Sequence, residues 1–215
     1  VSYIAWEPSS GNLNQILFEV GTTGNIIEDV FQYIPYNEIF SSPPVLLADM
    51  QTTDGPNTAN LRWRNKDTNG FEIMITEEKS KDSETYHTTE NIGYILLSTS
   101  VTNDGDSDGD GFLDEFEIFK NSDPQDPASV PQILEIGEVT VDHLWKRVTF
   151  NDTFFNPVVV ANPATLNGGD PAVVRIRNAD STGFEIRIQE YEYLDGWHVL
   201  ENIGYVVMEK GDFVL

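Results

Sequence analysis

The fold is decided by a stretch that occurs twice, as LRWRN-x4-GFEIMI at residues 61–75 and as VRIRN-x4-GFEIRI at residues 174–188. Apolar and polar side chains alternate along both copies, which is the period of a β-strand with one buried face. Phe184, Ile186 and Ile188 share the apolar parity, and the charged side chains lie on the other parity. The Asn, Asp and Gly residues between the two halves predict a hairpin turn. We therefore predict an all-β chain of antiparallel strands.

The match continues on both sides of this hairpin. Residues 44–48 (PVLLA) correspond to residues 157–161 (PVVVA), and the pattern H-x2-ENIGY begins at His87 and again at His198. Duplication of this extent indicates two folding units. We predict two antiparallel β-sandwich domains of about six strands each. The predicted domains and the linker between them are residues 1–101, 130–215 and 102–129.

The linker contains the acidic loop DSDGDGFLDEFE at residues 106–117. It fits D-x-D-x-D-G-x5-E, a spacing in which the chain curls around Ca²⁺ and a late Glu closes the shell of oxygens. An acidic disordered linker is the alternative, but it does not explain why the Gly and the Glu fall in register. A short helix over 114–120 is predicted to follow. The predicted calcium ligands are Asp106, Asp108, Asp110, the Phe112 carbonyl, Asp114 and Glu117.

This linker resembles the thrombospondin type 3 or dockerin-like calcium repeat of secreted proteins. In those repeats the acidic loop is followed by Thr-Asp-Pro, and here Ser122-Asp123-Pro124 stands in that place. The resemblance implies a second, weaker calcium ion held by Asp104, Asp123 and Asp126.

The two repeats resemble the H-type lectin family over roughly residues 36–98 and 150–210. The resemblance rests on the order F-x-x-P-[PV]-V, R-x-R-N, a hairpin, G-F-E-I-x-I and a closing H-x-x-E-x-[IV]-G-Y strand. It implies compact six-stranded sandwiches that bind sugars, often as trimers. The closing W-x-A of the family is replaced here by Gly-Tyr-Ile and Gly-Tyr-Val.

Charge and composition limit the partners of the chain. There are 36 acidic and 12 basic residues, giving a formal net charge of −24, and this field repels phosphates. We therefore do not expect nucleic-acid binding. Nor do we expect membrane insertion, since no apolar run reaches the ~18–20 residues that cross a bilayer. The absence of cysteine excludes disulfides and thiolate metal sites. The lack of cysteine and the calcium loop together are typical of an extracellular, secreted or cell-surface part of a larger polypeptide.

A candidate sugar site lies in the loop before the last strand of each repeat. Sugar rings stack on aromatic faces while their hydroxyl groups bind polar side chains. An alternative is that the aromatic residues only cap a hydrophobic edge, and that Arg175 and Arg177 pair with Glu185 across the hairpin. The predicted ligand-binding residues are Asp195, Trp197, His198, Arg175 and Arg177 in the second repeat and Tyr86 and His87 in the first.

Two glutamates in each repeat share the parity of core residues: Glu77 and Glu90 in the first, Glu190 and Glu201 in the second. Buried carboxylates are costly unless they are paired. A Glu–Arg–His network is the favoured interpretation, while ligand contact and a glycosidase pair stay open.

These patterns predict a non-catalytic carbohydrate-binding or adhesion module, stabilised by calcium, with a polysaccharide or glycan as its partner. The alternatives are a purely structural spacer and, third, a glycoside hydrolase.

Overall fold

The computed structural model describes residues 3–13, 16–80, 84–99, 105, 107–109, 114, 117–118, 122–129 and 134–210. Apart from helical backbone at 114 and 117–118, the elements of these residues are β-strands, as the alternation predicted. In chain order they are β1 (Ser9–Leu13), β2 (Ile16–Ile27), β3 (Gln32–Pro35), β4 (Val45–Met50), β5 (Ala59–Arg64), β6 (Gly70–Glu77), β7 (Glu90–Thr99), β8 (Leu134–Val141), β9 (Lys146–Thr149), β10 (Pro157–Thr165), β11 (Ala172–Asp180), β12 (Gly183–Glu190) and β13 (Glu201–Glu209).

Each repeat uses six strands in the same pairing order. In the first repeat these are β2-β7-β4 and β3-β6-β5, with β1 added to β2, and in the second they are β8-β13-β10 and β9-β12-β11. Equivalent strands also keep the same register, since Leu61 pairs with Ile75 and Val174 with Ile188. The all-β class is therefore confirmed, while the division into two separate sandwich domains stays a prediction.

The shared motif R-x-R-N has a structural cause in the β5–β6 and β11–β12 hairpins. Asn65 and Asn178 both have φ of 49°, a left-handed conformation that Asn tolerates better than most residues. Their side-chain amides donate to Glu72 at 3.0 Å and to Glu185 at 2.7 Å. The same Asn and Glu therefore fix the same turn in both repeats.

The predicted parity of the core is confirmed. A separate apolar cluster fills each repeat, and its centre is the alternate side chains of β6 or β12. The side chains of this parity, each 0% exposed, are Phe71, Ile73 and Ile75 on β6 and Phe184, Ile186 and Ile188 on β12.

The repeats also contact each other directly, through a strand pair and a third apolar cluster. The end of β5 pairs in parallel with the end of β10, which joins strands of both repeats into one six-stranded sheet. Arg62 is 1% exposed and donates to the carbonyls of Thr165 at 3.2 Å and Ala172 at 3.1 Å. Beside this contact, Leu47 and Leu97 pack with apolar residues of β8, β10 and β13. The interface therefore adds to the linker as a connection between the repeats.

The linker is described only in part. Asp114, Glu117 and Ile118 have helical backbone, but most of the helix predicted over 114–120 lies outside the described residues and stays a prediction. Nowhere in the described part of the chain is there a helix with the length and apolar character needed to cross a bilayer.

Arg62→Gln should lower the free energy of unfolding by about 2–4 kcal/mol, because two buried carbonyls lose a charged donor. The matched control is Arg175→Gln at the equivalent position of the second repeat. Its side chain is exposed, so its effect should stay within about 0.5 kcal/mol. Denaturant unfolding measures both changes. Equal effects of the two substitutions would contradict the described interface.

Candidate functional site

The best defined polar cluster of the second repeat is a histidine held between two glutamates. His198 is 2% exposed; its Nδ1 lies 3.0 Å from Glu190 Oε1 and its Nε2 lies 3.2 Å from Glu201 Oε1. Carboxylates only accept hydrogen bonds, so both ring nitrogens donate when both contacts are made. The ring is then an imidazolium, whose charge compensates part of the cost of burying two carboxylates.

The first repeat contains the same cluster. His87 Nδ1 lies 2.6 Å from Glu77 Oε1, and His87 Nε2 lies 3.3 Å from Glu90 Oε1. The four glutamates are between 0% and 6% exposed. The sequence predicted a network containing Arg as well, but the direct bonds of both histidines are to Glu.

A loop that sequence reasoning missed completes each cluster. Thr165 Oγ1 donates to Glu201 at 2.5 Å, and the backbone N–H of Gly168 donates to the same carboxylate at 2.8 Å. In the first repeat Thr52 and Gly55 bond Glu90 in the same way. The signal was present as a shared T-x-x-G at residues 52–55 and 165–168.

The glycine of this loop is required by close packing on the histidine ring. A Cβ at Gly168 would lie 2.9 Å from the His198 ring, and one at Gly55 would lie 2.4 Å from the His87 ring. Side chains larger than hydrogen therefore push the ring away from its glutamates. Thr, Gly, His and both glutamates form one packing unit in each repeat.

The pKa directions of the second cluster agree with a charged pair. Burial lowers the pKa of His198, but the hydrogen bonds to Glu201 and Glu190 outweigh it and raise the pKa above its ordinary value. Burial raises the pKa of Glu201, but donors led by His198 and Thr165 bring the net pKa below its usual value. The first repeat also acts on this pair, since the positive charge of Arg62 lowers the His198 pKa.

An exposed aromatic residue directly precedes each buried histidine. Trp197 is 59% exposed and Tyr86 is 66% exposed. The backbone N–H of Trp197 donates to Asp195 Oδ1 at 2.9 Å, and that of Tyr86 donates to Glu84 Oε2 at 2.9 Å. Each aromatic ring therefore projects from a turn that is closed by a carboxylate and fixed on its other side by a buried side chain.

The second repeat adds a neighbour to its aromatic ring. The ring of His143, in the β8–β9 loop, lies 5.9 Å from the Trp197 ring between centroids. His143 Nδ1 is also 3.1 Å from the His198 carbonyl oxygen. Leu144 and Leu200, 63% and 56% exposed, belong to the same two segments. This end of the repeat therefore presents aromatic and apolar groups to solvent.

The predicted sugar-site residues are not all brought together. Asp195 and Trp197 are in one turn, whereas His198 faces the interior, as His87 does in the first repeat. Arg177 pairs with Glu185 at 2.7 Å, near the hairpin end of β12. The turn of Trp197 follows the other end of β12, at Glu190. Glu185 and Glu190 are five residues apart, which is ~17 Å along a strand.

Arg175 also contacts β12, donating from Nε to Gln189 Oε1 at 3.2 Å. The arginines thus belong to a sheet face rather than to the turn of Trp197.

The calcium loop is described only at some of its predicted ligands. Asp104, Asp106, Asp110 and Phe112 lie outside the described residues, while Asp108, Asp114, Glu117, Asp123 and Asp126 lie within them. No group of three or more His, Asp or Glu side chains arranged for a metal occurs in the part of the chain that the structure describes. The predicted ligand sets stay predictions.

The carboxylate oxygens of the described part of the loop are of the kind that a hard cation such as Ca²⁺ binds. Ser107 binds the Asp114 carboxylate through its backbone N–H at 2.8 Å and its hydroxyl at 2.6 Å, which folds the loop back on itself. Glu117 is 0% exposed. A calcium ion prefers carboxylate and carbonyl oxygens and would neutralise a buried carboxylate in this acidic segment.

Asp123 and Asp126 accept backbone N–H bonds from Gln125 at 3.1 Å and Ala128 at 3.0 Å. They form successive turns after the loop, which leaves their role toward a second ion a prediction.

Comparison with known proteins supports a calcium-binding repeat in the linker. The bacterial TSP3 repeat, a calcium-binding repeat, matches residues 106–127. The chain is 25% identical over 196 residues to Halomucin of Haloquadratum walsbyi, an alignment that covers 86% of this chain and 2% of that relative. No solved structure matches the chain. The two matches indicate a module of a surface or extracellular protein.

Glu117→Gln should weaken calcium binding, because it removes the charge of the carboxylate that is predicted to close the ion's shell. Calorimetric titration of the parent with calcium up to about millimolar concentration should show binding heat, and the variant should need far more ion. Asp152→Asn, which neutralises an exposed carboxylate of the second repeat, is the control. Absence of calcium uptake by the parent would overturn the assignment.

The His198–Glu201 pair should make stability depend on pH in both directions. The raised pKa of His198 gives a contribution that is complete below about pH 6.5 and is lost as pH rises through the folded-state pKa. The lowered pKa of Glu201 gives a contribution present above about pH 4.3 and lost as pH falls through the folded-state pKa.

Thermal unfolding from acid to alkaline pH tests this dependence. His198→Gln should be less stable than the parent near neutrality, and the difference should shrink as the parent loses stability at higher pH. Glu192→Gln, an exposed carboxylate of the same loop, should keep the parent's profile. A His198→Gln profile parallel to that of the parent would show that this histidine does not titrate with folding.

Proposed function

We propose that the chain is a non-catalytic carbohydrate-binding or adhesion module of a larger secreted or cell-surface protein, stabilised by calcium. One observation carries the proposal: Trp197 and Tyr86 project from equivalent turns immediately before a buried histidine. Exposed aromatic residues at one duplicated position need a reason other than core packing, and a stacking platform for sugar rings supplies it.

The anchored turn favours binding by lowering its entropic cost. The carboxylate of Asp195 fixes the backbone before Trp197, and the contacts of His198 fix the backbone after it. A platform that is already ordered loses little conformational freedom when a ligand stacks on it. The resemblance to H-type lectins supports the same class of ligand.

The second repeat is proposed as the stronger binder. Trp197 offers a larger ring than Tyr86, and the loop that leads to it from β12 is shorter than the loop from β6 to Tyr86. Its neighbour His143 widens the surface. A larger and less flexible platform should bind a sugar more tightly.

The burial of the glutamates argues against a hydrolase. A glycosidase needs two carboxyl groups that flank an accessible sugar bond. Here Glu190 and Glu201 are 6% and 0% exposed and contact the two nitrogens of one histidine. This geometry supports an anchoring role for both carboxylates.

A structural spacer is the second candidate, and the contact between the repeats favours it. Arg62 and the third apolar cluster hold the repeats against each other in addition to the linker. Such a rigid unit could display another part of a surface protein without binding a ligand.

Trp197→Ala should abolish retention of the chain on immobilised neutral polysaccharides while leaving its unfolding curve close to that of the parent. The reason is that an exposed ring contributes contact area for a ligand but little to the core. Tyr86→Ala should reduce retention less. Phe155→Ala is the matched control, because Phe155 is 95% exposed but lies outside this turn.

Retention of Trp197→Ala equal to that of the parent would contradict the platform. If no polysaccharide of a broad neutral panel retains the parent, the spacer function takes its place.

A further inference from the structure

Four arginines lie on one face of the β9-β12-β11 sheet in the second repeat. Arg175 pairs directly with Arg187 across the strands, and the next row is Arg177, Glu185 and Arg147. Arg175, Arg177 and Arg147 are exposed, and Arg187 is half-buried. The chain has only 12 basic residues against 36 acidic ones. A third of its positive charge is therefore gathered on this arginine face.

The counter-charges of the face are incomplete. Arg177 pairs with Glu185 at 2.7 Å, and Arg147 pairs with Asp180 at 2.6 Å. Arg175 and Arg187 instead converge on the neutral Gln189 Oε1, each at 3.2 Å. The buried Nε of Arg187 has no hydrogen-bond partner among the described residues. Like charges directly opposite each other destabilise a sheet, and an anion between them would remove that repulsion.

An aromatic ring holds two of the guanidinium groups in place. The guanidinium carbons of Arg177 and Arg187 lie 4.0 Å and 4.6 Å from the centroid of the Trp145 ring. Stacking of this kind restricts the long side chains while leaving N–H groups free to bind. The donor groups are therefore partly ordered before a ligand arrives.

The first repeat shows that the fold does not require these charges. Met74 stands at the position of Arg187, and Tyr33 stands at that of Arg147. The Arg177–Glu185 pair, by contrast, has its equivalent in Arg64–Glu72. Two arginines are thus additions to a face that folds without them.

We propose that the arginine face binds an anionic polysaccharide that carries sulfate or uronate groups. This deepens the proposed function, on which it rests, by naming a ligand class for a second surface of the same repeat. A guanidinium fork matches the paired oxygens of a carboxylate or a sulfate. A polysaccharide with about one anionic group per sugar is favoured over nucleic acid, because its charges are more widely spaced than the one phosphate per ~1.7 Å of duplex axis and the net charge of −24 repels it less.

The test measures retention of the full chain on dextran sulfate, polygalacturonate and neutral dextran at one moderate salt concentration. The variant Arg147→Tyr with Arg187→Met carries the residues of the first repeat and should fold. It should bind the anionic polymers at least roughly tenfold more weakly, because two charge-assisted contacts are lost. The control Lys79→Gln with Lys210→Gln removes the same charge from exposed positions elsewhere and should bind like the parent.

The two anionic polymers distinguish sulfate from carboxylate recognition. Equal loss in both double variants would show that net charge alone governs binding and would overturn the proposal, as would failure of both anionic polymers to retain the parent. Stronger retention on polyphosphate than on either anionic polysaccharide would also overturn it. Trp197→Ala should keep its affinity for the anionic polymers, so failure here and failure on the neutral panel are separate results.

Discussion

The contact of one buried histidine with two carboxylates is the constraint on which each repeat depends. In the second repeat it joins the end of β12, through Glu190, to the start of β13, through Glu201. The loop after β10 closes over it through Thr165 and Gly168. Because buried charges are stable only when they compensate each other, these segments take one arrangement. The exposed aromatic turn is a consequence of that arrangement.

The duplicated sequence occupies two different environments in the two repeats. Arg62 of the first repeat is buried against carbonyls of the second, while the equivalent Arg175 is exposed. In the first repeat β5 pairs with β10 of the second repeat. The equivalent strand β11 is an edge strand of its sheet, and its Arg175 and Arg177 belong to the arginine face. The second repeat carries the larger aromatic ring and the additional arginines, Arg147 and Arg187.

Much of the fold followed from local patterns. The alternation around Phe184 predicted its buried face, and the shared glutamates were recognised as buried because their parity matched the core. The pairing of β5 with β10 could not be predicted, since it joins distant segments in parallel over only two residues of each strand. Nor could the different environments of Arg62 and Arg175, because the R-x-R-N pattern that the two copies share gives no signal of what packs against it.

The sequence named candidate site residues but could not give their arrangement. Sequence grouped Trp197 with His198 as neighbours in one loop, but successive residues of that loop point in opposite directions, one to solvent and one to the core. The T-x-x-G loop escaped notice because its short match contains no charged side chain. The acidic loop could be compared with calcium-binding repeats from sequence alone because Ca²⁺ imposes a fixed ligand spacing on a short segment, and residues 106–127 match the bacterial TSP3 repeat.

If His198 holds the two carboxylates together, both of its ring nitrogens carry a proton between them. Nitrogen-15 NMR of the imidazole groups, assigned with His198→Gln, measures this protonation as a function of pH. We expect two protonated nitrogens near pH 6 and a pKa of the ring above the ordinary value of about 6.5. A bare ring nitrogen at that pH, or titration at or below the ordinary value, would contradict it.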